Sequence, residues 1–294
     1  MARSELRYGS LFSGIGGIDL GMDLAGFECA WQVEIDEHCR RILEKHWPGV
    51  PKYKDIYKVK GSEVGAVDLI CGGFPCQPVS QAGKRVGVDD ERWLWSEFYR
   101  LICEIRPRWV VAENVPGLLS ANSGRAVAEV LRDLAEGGYD VVWDVFPAGG
   151  PGGVGALHQR QRIFIIGKLA KPKSKRHGRR TGKKRRIKRR KFQQSKQRRS
   201  KVGREVEGRS KSHGDTVADN DRERLKEQLW PQSVEEEGIE RSSWWCTEPS
   251  VGRVANGVPN RVDRLRALGN AVVPQVAYKV ARMIYEYTEK EKRS

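Results

Sequence analysis

Short apolar runs alternate with amphipathic, helix-like segments between residues 8 and 167, and this alternation restricts the fold more than any other feature of the sequence. Each run has the length of a strand and ends in glycine or polar residues, as buried parallel strands do before a loop. The pattern predicts an α/β protein with a doubly wound parallel sheet. The predicted strands cover residues 8–12, 27–35, 67–71, 108–112, 139–146 and 162–167. The predicted helices cover residues 18–25, 37–47, 93–105, 125–136 and 275–287.

The third predicted strand leads into an unusual loop, Gly72-Gly73-Phe74-Pro75-Cys76-Gln77-Pro78-Val79-Ser80. The prolines keep Cys76 out of a regular helix or a central strand, because each proline lacks a donor N–H and has a fixed φ angle. We therefore expect Cys76 on a stiff loop at the carboxyl end of a strand, where open α/β sheets bind their ligands. For this stretch taken alone, the alternative is a proline-bounded turn with an inert thiol.

A glycine-rich turn, Ser13-Gly14-Ile15-Gly16-Gly17, follows the first predicted strand. Glycines at a strand-to-helix turn let a ligand approach the backbone, and the helix N-terminus offers free N–H groups. The second strand ends in Glu34-Ile35-Asp36, about 20 residues past the first glycine, where related folds hold ribose hydroxyls with a carboxylate. The spacing differs from the dinucleotide fingerprint, and solvated acids at a strand end are the alternative. Together, turn and acid predict a cofactor that contains adenosine.

The positive charge of the chain is concentrated in one segment. The net charge is +16, yet residues 171–212 contain 21 Lys/Arg and two Glu, so the remainder of the chain carries −3. From Lys171 to about Arg241 the apolar periodicity is lost, which predicts a segment that is mostly disordered when free. Clustered Lys/Arg favours a nucleic-acid-binding arm. A solvated insert, or a nuclear import signal at Lys183–Lys191, remains the alternative.

The rest of the composition predicts a soluble cytoplasmic protein. The six cysteines form no CxxC pair, which is typical of reduced thiols and does not suggest a metal site. The first ten residues are polar and charged, and no apolar run approaches the length of a membrane span.

Five separate motifs are similar, in order and spacing, to those of the C5-cytosine DNA methyltransferases. They are Leu11–Gly17, Gly73–Gln77, Glu113-Asn114-Val115, Arg160-Gln161-Arg162 and Gly269–Pro274. His158 stands where many members of that family have Gln. The resemblance covers about residues 8–167 and 262–287, and it implies a Rossmann-like methyltransferase sheet.

The resemblance also implies a mechanism and a cofactor, S-adenosylmethionine. Carbon 5 of cytosine is a poor nucleophile, so the family first adds a thiolate, here that of Cys76, to carbon 6 of a flipped base. Glu113 would hold or protonate ring N3, and Arg160, with Arg162 in support, would orient the carbonyl side of the base. The implied cofactor pocket comprises Phe12, Gly14, Ile15, Gly16, Gly17, Glu34, Ile35, Asp55, Ile56, Asn270 and Val272, and Pro75 fixes the nucleophile loop.

The expected organisation is a catalytic domain over residues 1–170, a basic insert with a reduced target-recognition region over 171–261, and a segment 262–294 that returns to the catalytic domain. We expect a monomer that binds double-stranded DNA. The insert differs from the folded recognition domain usual in the family, which leaves open weak specificity, a short target site or an accessory partner. The same chemistry on RNA, or a catalytically idle nucleic-acid-binding homologue, are the alternative functions.

Overall fold

The computed structural model describes residues 6–75, 93–171 and 261–293. Within these ranges the strands are β1 (Leu6–Leu11), β2 (Phe27–Val33), β3 (Lys52–Tyr53), β4 (Leu69–Gly73), β5 (Trp109–Asn114), β6 (Tyr139–Phe146) and β7 (Arg162–Leu169). The helices are α1 (Gly17–Leu24), α2 (Glu37–His46), α3 (Gly61–Val64), α4 (Trp95–Ile105), α5 (Arg125–Glu136), α6 (Arg261–Asn270) and α7 (Pro274–Arg293). Cys76 and Gln77, together with residues 172–260, lie outside the described residues.

The described strands form one seven-stranded sheet in the order β3-β2-β1-β4-β5-β7-β6. Strands β1 to β5 pair in parallel, and β7 runs antiparallel to both β5 and β6. The expected doubly wound α/β fold is confirmed, but the sheet is mixed. The reason lies in the connection between β6 and β7, residues 147–161, which contains no helix. Parallel neighbours need a long crossover, whereas a loop returns the chain in the opposite direction.

Alternate residues of the central strands point into two separate hydrophobic layers. On β5, Trp109 and Val111 pack with residues of α1 and α7, whereas Val110 and Ala112 pack with residues of α4 and α5. This alternation follows from the two-residue period of a strand, and burial on both faces explains the continuous apolar runs in the sequence. Helices thus cover both faces, and the ends of the strands remain available for a site.

The C-terminal helix α7 closes the core, as its amphipathic pattern predicts. Val276, Val280 and Ile284 are buried against the sheet layer that contains α1. The packing is close at Gly21 of α1, where an added Cβ would lie 2.5 Å from the Cβ of Ala277. The Trp109 Nε1 donates to Thr288 Oγ1 at 3.0 Å and links β5 to the same helix. This docking returns α6 to the carboxyl ends of the strands.

The predicted and observed elements differ mainly at the edge of the sheet and in the C-terminal segment. The short edge strand β3 and the helix α6 were not predicted, whereas α5 and β6 have the predicted bounds. None of the helices in the described ranges is both long and apolar enough to cross a membrane.

Candidate active site

A cavity of about 400 Å³ lies at the carboxyl ends of β1, β2, β4 and β5. Parallel strands end at one edge of a sheet, and so residues far apart in the sequence meet there. The cavity is lined by most of the residues predicted to bind the cofactor: Phe12, Gly14, Gly17, Glu34, Ile35, Asp55, Ile56, Pro75, Asn270 and Val272. Two further predicted site residues, Glu113 and Arg162, line it as well. Predicted cofactor and catalytic residues therefore share one cavity.

Two predicted cofactor residues and one predicted catalytic residue are not among the described residues that line the cavity. Gly16 is the N-cap of α1 in a left-handed conformation, with φ of 85°, and a Cβ there would meet the ring of Trp47. Ile15 is half-buried beside it and, like Arg160, is not among the described residues that line the cavity. The backbone conformation and the packing against Trp47 are therefore enough to explain a glycine at position 16, without a ligand.

Glu34 holds the glycine-rich turn against the end of β2. Its carboxylate accepts hydrogen bonds from the backbone N–H of Gly14 and of Asp36, both at 2.7 Å. Burial raises the pKa of Glu34, and the two backbone donors partly offset this effect. A carboxylate has about four lone-pair sites, so two donors leave capacity for further hydroxyl groups. Phe12, just before the turn, has a φ of 53°, which turns the chain away from β1.

Asp36 connects the end of β2 to the C-terminal segment. One carboxylate oxygen accepts from the backbone N–H of Cys39 at 3.2 Å and thereby caps α2. The other forms an ion pair with Arg266 of α6. Burial acts to raise the pKa of Asp36, but the hydrogen bonds from the α2 backbone and the charge of Arg266 hold it below its ordinary value. Both residues line the cavity, so the pair joins the end of β2 to the C-terminal side of the cavity.

Glu113 is a buried acid at the end of β5. Its Oε1 lies 2.9 Å from Nε of Arg162, and its side chain is only 8% exposed. Burial raises its pKa to about 7, although the positive charges of Arg162 and Arg160 oppose the rise. The neighbouring strand leaves room for this carboxyl, because a Cβ on Gly73 would lie 2.5 Å from Glu113 Oε2. An acid that titrates near neutrality inside a cavity is suited to proton transfer.

The two arginines of the Arg160-Gln161-Arg162 motif have different partners. Arg162 faces Glu113 inside the cavity. The guanidinium of Arg160 donates to the carbonyl oxygens of Leu268, Gly269 and Ala271, at the end of α6. The sequence predicts Arg160 as the principal base-orienting group, with Arg162 in support; of the two, Arg162 is the one among the described residues that line the cavity.

The start of the nucleophile loop is held by Asn114. Its Nδ2 donates to the carbonyl oxygen of Phe74 at 3.1 Å, immediately before Pro75. The ring of Phe74 packs edge-on against Trp93, with centroids 5.4 Å apart. Backbone and side chain are thus both fixed one residue before Pro75. Cys76, the predicted nucleophile, lies just outside the described residues.

A buried polar network lies behind the glycine-rich turn. Asp19 of α1 accepts from Gln32 Nε2 at 2.8 Å and from Ser10 Oγ at 3.1 Å, and so joins α1 to β2 and β1. Ser13 Oγ donates to Ser10 Oγ at 2.9 Å and brings the turn itself into the network. Burial raises the pKa of Asp19 to about 6, against the lowering by its two side-chain donors.

Sequence reasoning missed Asp36, Gly73, Asn114 and Arg266 as individual residues of the cavity, and Asp19 in the network behind it. A charged residue on the apolar face of α1, between Ile18 and Met22, was an available signal for Asp19. Gly73 and Asn114 stand within motifs that were recognised. The contact of Arg266 with Asp36 joins residues 230 positions apart, and nothing in the sequence indicates it.

Comparisons with known proteins give one consistent family. The family model for "C-5 cytosine-specific DNA methylase" matches residues 6–251. The chain is 34% identical over 168 residues to the Type II methyltransferase M.DsaV of Dactylococcopsis salina, covering 57% of this chain and 47% of that protein. It is 37% identical over 159 residues to M.FnuDI of Fusobacterium nucleatum, covering 54% and 45%. The chain thus spans about half the length of these relatives.

A shorter relative is matched over more of its length. The chain is 36% identical over 176 residues to the Type II methyltransferase M.AquIA of a Picosynechococcus species, covering 54% of this chain and 70% of that protein. A solved structure of a putative DNA modification methyltransferase from a prophage of E. coli is 30% identical, with a TM-score of 0.48, and covers 56% of this chain and 47% of that one. The chain belongs to the C-5 cytosine-specific DNA methylase family.

Proposed function

We propose that the protein is a DNA (cytosine-5-)-methyltransferase that uses S-adenosylmethionine as methyl donor. One observation carries the proposal beyond family membership: the Glu34 carboxylate and the buried Glu113–Arg162 pair line the same cavity. A cofactor and a base can therefore meet in one space, which a transfer between them requires. A catalytically idle homologue has no chemical need for this pair.

The cavity suits an adenosine-containing cofactor. Its volume of about 400 Å³ lies within the usual range for small-molecule sites. Glu34 would accept hydrogen bonds from ribose hydroxyls, and the exposed side chain of Ile35 and the buried Ile56 offer apolar surface to the adenine ring. When bound, the cofactor supplies a methyl group on a positively charged sulfur. Asp55, Asn270 and Val272 would complete the pocket.

Glu113 would control the charge on the base. When the Cys76 thiolate forms a bond to carbon 6, electron density moves through the ring toward N3. A proton donated from Glu113 to N3 would prevent an anion from building up, and the neutral enamine formed could then attack the methyl group through carbon 5. Return of the N3 proton to Glu113, loss of the carbon 5 proton to a water molecule and expulsion of the Cys76 thiolate would then restore the aromatic ring. With a pKa of about 7, Glu113 holds a proton for a useful fraction of time near neutral pH.

Arg162 would orient the carbonyl oxygen of the cytosine. Its side chain is 14% exposed, and its Nε is already fixed by Glu113, so its remaining N–H groups point from a rigid position. The target base must leave the duplex to reach this depth, at a cost of a few kcal/mol. The basic segment 171–212 would supply binding free energy to DNA phosphates that offsets this cost.

The first test is methyl transfer itself. Wild-type protein and Cys76→Ala would be incubated with S-adenosylmethionine labelled in the methyl group and with either double-stranded DNA or RNA. We expect label in DNA, at carbon 5 of cytosine by base-resolution sequencing, from the wild type alone. A duplex of mixed sequence containing 5-fluorocytosine should form a lasting covalent adduct with the wild type, because fluorine replaces the hydrogen on carbon 5 and the elimination that releases the thiolate cannot occur. Cys76→Ala should form no adduct, because it lacks the thiol.

Three outcomes would contradict the proposal. Label in RNA but not in DNA would replace it with the same chemistry on RNA. Normal turnover by Cys76→Ala would remove the covalent mechanism. Cofactor binding by a wild type that transfers no label to either polymer would favour the idle homologue.

A further inference from the structure

The residues that close one side of the cofactor cavity come from the far end of the chain. We define the C-terminal wall as residues 266–272, which form the end of α6 and the turn before α7. Arg266, Gly269, Asn270 and Val272 of this wall line the cavity. The wall consists of the last residues of α6 and the short turn that follows, so its position depends on what fastens it to the sheet domain.

Among the residues that the structure describes, three contacts fasten the C-terminal wall. The backbone of Val272 lies so close to Gly17 that an added Cβ on Gly17 would overlap it. Arg266 pairs with Asp36 at the outer edge of the wall, where its side chain is 61% exposed. At its centre, Arg160 donates to three carbonyl oxygens: Nε to Ala271 at 3.1 Å, and Nη2 to Gly269 at 2.7 Å and to Leu268 at 3.3 Å.

Arg160 is well placed to be the strongest of these fasteners. The last carbonyls of a helix have no partner within the helix, and they carry the negative end of its dipole. A guanidinium satisfies several of them with charge-assisted hydrogen bonds, which are stronger than neutral ones. Arg160 is half-buried, and burial together with the charge of Arg162 lowers its pKa, whereas the charge of Glu113 opposes this effect. The three carbonyls supply hydrogen-bond partners for its N–H groups.

We propose that Arg160 is a positioning residue that fastens the C-terminal wall of the cofactor cavity. Of the two arginines, Arg162 alone would contact the target cytosine. The inference rests on the proposed function, whose cofactor would occupy the cavity. Without Arg160 the wall would be in place for only a fraction of the time. The apparent dissociation constant of the cofactor rises by the inverse of that fraction.

The two arginines thereby make separable predictions. Loss of Arg160 should weaken cofactor binding in the absence of any nucleic acid. Loss of Arg162 should leave that binding unchanged and should abolish methyl transfer, because its contact is with Glu113. A base-orienting role for Arg160 predicts the reverse: full cofactor affinity and lost turnover.

The experiment compares four variants by calorimetric titration with S-adenosylmethionine without DNA: Arg160→Ala, Arg160→Lys, Arg162→Ala and Arg106→Ala. For Arg160→Ala we expect a dissociation constant raised about tenfold, the usual effect of losing one charge-assisted hydrogen bond to a well-held group. Arg160→Lys should recover part of the loss, because an ammonium still donates to carbonyls. Arg162→Ala should bind as the wild type does.

Arg106→Ala is the matched control for general destabilisation. Arg106 also donates to a carbonyl at the end of a helix, that of Gly137 after α5, but it lies at the amino end of β5, opposite the cavity. Its loss should lower the melting temperature without changing cofactor affinity. Hydrogen exchange of residues 266–272 gives an independent reading, since Arg160→Ala should speed exchange there and Arg106→Ala should not.

Unchanged cofactor affinity and unchanged exchange in Arg160→Ala would overturn the inference. If that variant does not fold, Arg160→Lys decides: wild-type affinity and exchange would overturn the inference, and intermediate values of both would support it. The proposed function fails separately. A wild type that binds the cofactor and methylates no nucleic acid would refute the methyltransferase proposal, while the binding series would still decide the role of Arg160.

Discussion

At the scale of single residues, the cavity shows how burial prepares acids for different uses. Glu34 and Glu113 are both buried at strand ends, yet their partners differ. Glu34 accepts two backbone N–H groups, which hold a turn, whereas Glu113 meets only the guanidinium of Arg162 at close range within the described part of the chain. Hydrogen bonds to a carboxylate favour its charged form, and burial favours its neutral form. Glu34 is therefore suited to accept hydrogen bonds, and Glu113 is suited to exchange a proton.

Glu113→Gln tests this assignment through the dependence of rate on pH. If protonated Glu113 donates to the base, the single-turnover rate of the wild type should fall as pH rises through about 7, the pKa of that carboxyl. Glutamine is nearly isosteric but cannot transfer a proton, so the rate at neutral pH should drop roughly 10²–10⁴-fold. The fall on the alkaline side should also disappear. Rates of methyl transfer with enzyme in excess, from about pH 5.5 to pH 9, measure both effects.

The control is cofactor affinity, which should be the same for wild type and Glu113→Gln. A variant that keeps more than about a tenth of wild-type activity would show that N3 is protonated by another group. A variant that loses activity but keeps the alkaline fall would place the titrating group elsewhere.

At the scale of elements, β1, β2 and α1 meet at the buried Asp19. The network of Asp19, Ser10 and Gln32 ties the helix to both strands where the glycine-rich turn joins them. The charged form of Asp19 reduces the stability of the folded state, because burial raises the pKa of this carboxyl from 3.8 to about 6. A raised carboxyl pKa means that the folded state binds the proton more tightly than the unfolded state. The contribution of Asp19 to the free energy of unfolding is thus largest below about pH 4, and it is lost as pH rises through about 6.

Asp19→Asn should remove this pH dependence. An asparagine fits the site, because its carbonyl oxygen can accept from Gln32 and its amide can donate to the Ser10 hydroxyl, which can rotate to accept. Relative to the wild type, the free energy of unfolding of the variant should increase by about 2 kcal/mol between about pH 4 and pH 7. Urea unfolding at a series of pH values measures the difference. The pKa of neighbouring Asp23 is also raised, but Asp23 is present in both proteins and largely cancels.

A constant difference between the two proteins over that range would mean that Asp19 does not titrate there. A variant less stable at every pH, by the same amount, would show that the network depends on the charged carboxylate.

The elements themselves were largely predictable, and the exceptions have physical reasons. The central strands and the helices α1, α2, α4, α5 and α7 follow from apolar periodicity, because each buries one recognisable face. The reversal of β7 was not predicted, since the length of residues 147–161 is compatible with more than one return path. The helix α6 was missed because many of its side chains are exposed; Val262 and Leu268 are 74% and 55% exposed. A helix that buries little leaves a weak pattern.

The site was predictable as a set of motifs and not as a set of contacts. Order and spacing in the sequence identified Glu113, Arg162 and Glu34, which the fold brings to one cavity. The partners of Arg160 and Arg266 depend on how the C-terminal segment docks, which is decided by distant packing between α1 and α7. Sequence spacing carries no information on such pairs.

At the scale of the whole molecule, the positive charge and the candidate active site occupy different parts of the chain. Residues 171–212 carry a local charge of +19, and the remainder, which includes every described residue that lines the cavity, carries −3. The sequence-based prediction is that these 42 positions bind phosphates without reading bases, because base readout needs side chains held in fixed geometry against a groove.

Deletion of residues 171–212 tests whether the segment binds phosphates without reading bases. Affinity should fall by a similar factor for DNA duplexes of any sequence, and the slope of log K against log salt should become less negative by roughly 0.9 for each phosphate that the protein no longer neutralises. The set of methylated sites should stay the same.

A variant of equal length, with Ser and Gly in place of the Lys and Arg, separates charge from chain length and should behave like the deletion. Binding titrations from about 50 to 200 mM salt and sequencing of methylated DNA measure the two properties. An unchanged slope would mean that the segment does not bind phosphates. A changed set of methylated sites would show that the segment reads the target, since the wild type and the deletion variant have the same cavity residues.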